Sequence, residues 1–224
     1  MEKKQRASKS VERKAWEREQ RMNRIIDIVE KLFFTRGYEG TTVDDIARAA
    51  GYTKRSIYIY FKDREELFLS VVRRGQELFK AALEEAAARP VSKNQPLSIG
   101  LGRAFYQFSL DHPGHLALLM TYEAKLYRYA SDQPPDEEDG FRAECQRLSR
   151  EYGSIVTRAI QSDIERGLIR TKLNARQLML LLWGQVLGVM QVILMRKASF
   201  RKVYGLSPET LFEEFLAMTR RSLG

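Results

Sequence analysis

One cysteine and two histidines are the only thiol and imidazole side chains in these 224 residues. A lone Cys145 excludes an internal disulfide and fits a reducing cytoplasm. Its spacing from Phe141 and Leu148 puts it on an apolar helix face, where core packing is expected. His112 and His115 flank Pro113 and Gly114. No nearby Cys or acidic triad completes a tetrahedral site around them. Pro113 marks a helix boundary, so surface imidazoles in a turn are expected and a metal is not. Also missing are a Gly-rich phosphate loop, a nucleophile elbow and a paired-carboxylate constellation, which argues against an enzyme and against a cofactor. There is no run of alternating polar and apolar residues, no internal repeat and no metal-finger spacing, so the chain reads as all-α. The N-terminus carries charges and no apolar run, so a secretory signal is not expected.

What the chain does have is size, positive charge and one long apolar stretch. At 44% hydrophobic it can bury a substantial core. Residues 1–64 hold 16 Lys and Arg against 10 Asp and Glu, a net +6, while the remaining 22 and 19 leave +3 for the rest. Two thirds of the excess therefore sits on under a third of the chain, an electrostatic footprint suited to nucleic acid. Residues 178–195 are uncharged and long enough to be a membrane candidate. Gln185 and Gln191 interrupt that run, no other segment is comparable, and the mean hydropathy of the chain is −0.41. A helix apolar all round is equally at home buried in protein. One side would pack on its own domain and the other on a second copy, with Gly184 and Gly188 allowing close backbone approach.

The most informative stretch is residues 42–64, which predicts two short helices joined at a glycine. Thr42 can cap the first, and Asp45 gives a capping box with Asp where Glu or Gln is usual. Val43, Ile46, Ala47 and Ala50 make its apolar side, and Gly51 suits the left-handed position that ends it. Thr53 can cap the second helix, with Ile57 and Phe61 inward. Lys54, Arg55 and Ser56 then lie on an exposed first turn, followed by Tyr58 and Tyr60. Cations and a hydroxyl there suit a helix entering a major groove.

In their order these positions resemble the DNA-binding region of TetR-family transcriptional regulators. They are Thr42, Asp45-Ile46-Ala47, Ala50-Gly51-Tyr52, Thr53, Ser56, Ile57-Tyr58, Tyr60-Phe61, Arg64 and Glu66-Leu67, within a match of roughly residues 18–70. Tyr52 replaces the usual small aliphatic residue, Arg55 a frequent Gly and Arg64 a frequent Lys. Asp44 stands where several members carry a basic residue that contacts DNA. The resemblance implies Lys54, Arg55 and Ser56 as base readers, and Thr42, Thr53, Tyr58, Tyr60 and Arg64 as phosphate holders. It also implies a helical C-terminal domain with a ligand cavity, coupled to the reader through a long helix. Candidates for the cavity are Phe105, Phe108, Tyr122, Glu123, Tyr127, Trp183 and Gln185. A small, hydrophobic or amphipathic effector would suit such a lining. Gly184, Gly188, Gln191, Phe212 and Phe215 are expected at a homodimer interface.

The organisation that follows has about nine helices. A basic arm or extension occupies residues 1–17, with residues 1–10 non-helical. A three-helix DNA-binding domain spans 18–63, its first helix striped by Met22, Ile25, Ile26, Val29, Leu32 and Phe33. An effector-binding and dimerisation domain spans 64–224. A long helix runs from Arg64 to about Ala88, with Leu67, Phe68, Val71, Leu78 and Phe79 inward. Others follow near 96–111, 114–129 and from Phe141 to before Gly167. A surface loop covers 131–140. Asn174 can cap the apolar helix, and Ser207-Pro208 opens the last, with Leu211, Phe212, Phe215, Leu216 and Met218 inward. The function expected is a cytoplasmic, homodimeric repressor released from a palindromic DNA operator by its effector. An activator, a membrane protein and a helical enzyme are the rivals.

Overall fold

A computed structural model describes residues 2–129, 140–196 and 199–224, with side chains for 12–125, 140–196 and 199–224. The described residues form ten α-helices and no strand. These are α1 (Glu2–Arg36), α2 (Val43–Ala50), α3 (Lys54–Ile57), α4 (Arg64–Ala88) and α5 (Leu97–Asp111), then α6 (Pro113–Tyr129), α7 (Gly140–Glu165), α8 (Ala175–Arg196), α9 (Phe200–Tyr204) and α10 (Pro208–Leu223). The all-α expectation holds. Two elements differ from it. Helix α1 starts at Glu2, so the backbone expected to be a non-helical arm is helical. Helix α9 is a single turn closed by Gly205, too short to leave a period in the sequence. The loop expected at 131–140 lies outside the described residues, apart from Gly140, which opens α7.

The chain divides into two compact units, Met1–Gly75 with Ala117–Cys145, and Gln76–Leu116 with Gln146–Gly224. In the first, Ile25, Ile26, Val29 and Phe33 from α1 close over Val43, Ile46 and Ala47 of α2. Ile57, Phe61, Leu67, Phe68 and Val71 complete this core, all of them buried. Tyr38 packs between Phe33 and Phe68, with ring centroids 5.6 and 4.7 Å away. Buried side chains of this size each contribute about 1.5–3 kcal/mol. Cys145 is fully buried and its Sγ–H points at the Leu69 carbonyl, 3.4 Å away, which is the core role expected of it.

In the second unit Phe79 is the hub of an aromatic cluster with Phe105, Phe108, Tyr152 and Trp183. Tyr106 stacks on Phe212 at 4.7 Å. Gly102 lets α10 approach α5, because a Cβ there would sit 2.8 Å from Leu216 Cδ2. The start of α5 poses a capping problem, since Pro96 at its N-cap supplies no side-chain acceptor. Asp163, buried on α7, solves it by accepting from the Leu97 and Ser98 N–H groups at 2.8 and 2.9 Å and from the Ser98 hydroxyl at 2.7 Å. These are the donors a helix start otherwise leaves unpaired.

Leu78 and Met218, expected inward, are exposed. So is much of α8. Asn174 and Gln177 cap its start reciprocally, as a capping box does, at 2.9 and 3.1 Å. Ala175, Leu178, Met190 and Ile193 are buried, whereas Leu180 and Met195 are 68% and 75% exposed. It is the one described helix long and apolar enough to cross a membrane. Its period explains the pattern, because one face packs on its own unit and the other is exposed among the described residues.

Candidate nucleic-acid interface

Helix α2 is fixed by local chemistry. The Thr42 hydroxyl accepts the Asp45 N–H at 3.2 Å, and Asp45 Oδ2 accepts the Thr42 N–H at 3.0 Å. The same carboxylate takes the Thr42 hydroxyl proton at 2.6 Å. These bonds, the side-chain one foremost, hold the Asp45 carboxyl below its ordinary range, aided by Arg36 and Arg48. Gly51 ends the helix at φ 69°, a left-handed conformation that glycine adopts without a steric penalty. Thr53 caps α3 by accepting the Ser56 N–H at 3.1 Å and shares a hydrogen bond with the Ser56 hydroxyl at 2.9 Å. Helix α3 is shorter than the spacing predicts. It ends at Ile57, and a turn at 58–60 carries the chain on to the buried Phe61.

The expected base readers sit side by side but in different circumstances. Arg55 is exposed and has no ion pair or side-chain hydrogen bond to the described residues. Lys54 Nζ donates to Asp44 Oδ2 at 2.8 Å, which raises the ammonium pKa. Ser56 is held by Thr53. Among the expected phosphate holders, Tyr58 is exposed, and Thr42 and Thr53 are exposed but engaged in caps. Tyr60 is half-buried and hydrogen-bonded to Arg21, with Arg18 5.8 Å over its ring. Arg18 also donates to the Ile59 carbonyl at 3.2 Å. The basic face of α1 thus grips the turn that follows α3, a partnership that sequence spacing could not show. Arg64 reaches back instead of outward. Its Nε donates to the Thr41 carbonyl at 3.0 Å, its Nη2 donates to the Tyr38 carbonyl, and the guanidinium lies 4.0 Å over the Tyr38 ring.

The residues expected at an effector cavity do not form one set. Phe105, Phe108 and Trp183 meet at Phe79, with centroids 5.4, 5.2 and 6.2 Å from it. Gln185 is exposed, because it falls on the open face of α8. Tyr122, fully buried, and Glu123, half-buried, belong to the first unit. The Tyr127 side chain lies outside the described residues. A polar group that the sequence did not flag is Gln76, fully buried on α4. Its Nε2 donates to Ser149 Oγ at 3.0 Å, while its Oε1 accepts nothing. His115 is buried rather than on the surface, since the turn at Pro113 is the first turn of α6 and faces it inward. A cleft of about 850 Å³ opens elsewhere in the second unit, between the 92–96 loop and α10. Pro96, Ile99, Arg103 and Arg220 are on its wall, and none of the expected effector residues is. Of the expected interface residues, Gly184, Gly188 and Gln191 are exposed on α8. Phe212 is fully buried within the chain and Phe215 half-buried, so Phe212 is not on the surface where it was expected to line an interface.

Two short helices joined by a left-handed glycine, capped at both starts and displaying a free arginine, define a helix-turn-helix DNA-binding protein. Residues 25–71 match the family of bacterial regulatory proteins described as the tetR family. Over that segment the chain carries the DNA-binding domain of TetR-family transcriptional regulators. It is similar to the fatty acid metabolism regulator protein of Bacillus subtilis (strain 168), 23% identical over 72% of this chain and 77% of that one. Two solved structures share the fold. FadR from Bacillus subtilis in complex with stearoyl-CoA has TM-score 0.61 at 18% identity, covering 87% of this chain and 95% of that one. AibR in complex with isovaleryl coenzyme A and operator DNA has TM-score 0.60 at 18% identity, covering 88% and 97%.

Proposed function

We propose that the protein is a cytoplasmic, homodimeric repressor that leaves a palindromic operator when an acyl-coenzyme A binds. The free Arg55 on the reading element is the observation that carries the DNA half of this reading. A guanidinium there can hold guanine O6 and N7 together, while Thr42, Thr53, Tyr58 and Tyr60 flank it as phosphate contacts that fix register. The exposed apolar face of α8 is the natural seat of the second copy, and two readers on one two-fold axis recognise two half-sites. The relatives solved with acyl-CoA support the effector class. So does the aromatic cluster around Phe79, whose rings suit an acyl chain, with the Gln76 amide as a polar anchor beside it. Binding shifts the protein toward a state with wrongly spaced readers only by its preference for that state.

The test starts from random duplexes selected on the purified protein, followed by release from the enriched duplex with acyl-CoAs of graded chain length. Enrichment of a palindrome and chain-length-dependent release are expected. Arg55→Ala should cost about 1–3 kcal/mol on that duplex and relax the preference at one base pair. Loss spread equally over all sequences would remove Arg55 as a base reader. Operator binding indifferent to every acyl-CoA would remove the effector class and leave the DNA reading standing.

A further inference from the structure

Asp44 lies in the first turn of α2 and Lys54 opens α3, so the turn between the helices brings together two residues ten apart in sequence. Their side chains meet at 2.8 Å, and both are open to solvent, 59% exposed for Asp44 and 48% for Lys54. The pair has no evident task in the core, because neither residue is buried. The caps of both helices are complete without it, through Thr42 with Asp45 and Thr53 with Ser56. The cations around it differ in this respect. Arg48 faces Asp45 at 3.8 Å, Lys54 faces Asp44, and Arg55 faces solvent. Helices α2 and α3 therefore carry three cations, and among the described residues Arg55 is the one of the three without an acidic partner.

Resting on the assignment of residues 42–64 as the DNA reader, we propose that Asp44 is a specificity-determining residue that holds Lys54 away from phosphate and so weakens binding to non-operator DNA. The physical basis is counterion release. Binding without sequence readout is almost wholly the neutralisation of phosphates, and each cation that reaches one steepens the dependence of log K on log salt by about 0.9. An ammonium is a point charge with three donors and no preferred plane, so it serves phosphate on any sequence. Held by a carboxylate at 2.8 Å, it is withdrawn from that indiscriminate role. Arg55, planar and bidentate, is left as the unpaired cation of α2 and α3, and it is the better discriminator between bases.

The experiment is a double-mutant cycle on the full-length protein, with Asp44→Asn, Lys54→Ala and the pair combined. Each is titrated at several salt concentrations against a random-sequence duplex and against the duplex selected by the wild type. Asp44→Asn is expected to steepen the random-duplex salt slope by about 0.9. It should also raise random-duplex affinity several-fold while changing operator affinity less, so that the specificity ratio falls. In the Lys54→Ala background the same substitution should leave the slope unchanged. If Asp44→Asn steepens the slope just as much without Lys54, Asp44 acts by general repulsion and the proposal is overturned. It is overturned too if the slope never moves. A wild type that binds neither duplex would instead overturn the DNA reading, a separable result. Thermal melts of all four proteins, expected to coincide, exclude a folding defect as the cause.

Discussion

Arg64 separates two ideas about one residue, a hand on the phosphate backbone or a tie inside the protein. The guanidinium makes two hydrogen bonds to the carbonyls of Tyr38 and Thr41 and lies over the Tyr38 ring, joining the start of α4 to the segment between α1 and α2. Arg64→Lys keeps the charge but loses the fork, since a single ammonium cannot reach both carbonyls and cover the ring. Hydrogen bonds from a charged donor contribute about 1.5–3 kcal/mol each, and the ring contact adds about 0.5–1 kcal/mol. The side chain is 32% exposed and the three contacts share one group, so the sum must be discounted. A loss of about 2 kcal/mol is expected for Arg64→Lys and slightly more for Arg64→Ala. At this chain length that lowers Tm by about 4–8 °C. The assay is a thermal melt by circular dichroism, with DNA titrations over salt on the same samples. Arg64→Lys should melt early and bind all duplexes more weakly, with a nearly unchanged salt slope. If Arg64→Lys melts with the wild type while Arg64→Ala loses about one unit of slope, the residue is a phosphate contact and the tie is incidental.

Asp163→Ala strands the first N–H groups of α5 and should cost about 3–5 kcal/mol, read from urea midpoints at constant m; a cost under about 1 kcal/mol would mean that water replaces the carboxylate. Acid should loosen α2 through Asp45. Its folded pKa is depressed, so its contribution is full above the ordinary carboxylate range and is lost as pH falls through the lower folded value. Urea midpoints from neutral pH down to about pH 2 should therefore fall less steeply for Asp45→Asn than for the wild type, and parallel curves would contradict the linkage. Gly188→Glu places a charge on the open face of α8 and should yield a monomer by light scattering; a persisting dimer would move the interface elsewhere.

The parts of this protein that were legible in its sequence are those whose partners lie three or four residues away. Thr42 with Asp45, Gly51, Thr53 with Ser56, and Asn174 with Gln177 all act within one turn, so spacing alone reveals them. Helix ends at Gly167, Pro90 and Pro113 were legible for the same reason. Faces were harder, because a period gives a stripe without saying whether anything covers it. Leu78, Gln185 and Met218 have inward-looking spacing and are exposed. Least legible were contacts that need the fold, namely Asp163 with the start of α5, Gln76 with Ser149, Arg64 with Tyr38, and Lys54 with Asp44. No local pattern singles out one acidic residue among 29 as a distant cap.

The helical start of α1 decides what the basic N-terminal residues can reach. An α-helix with its side chains is about 10–12 Å across, whereas the minor groove is about 6 Å wide. A flexible peptide threads that groove; a rod does not. With 35 residues at about 1.5 Å each, α1 is a rod of roughly 50 Å, longer than one turn of the duplex. So long as it stays wound, its charges can meet DNA only from outside the minor groove, as a strut against the sugar–phosphate wall. To enter, the first turns would have to unwind.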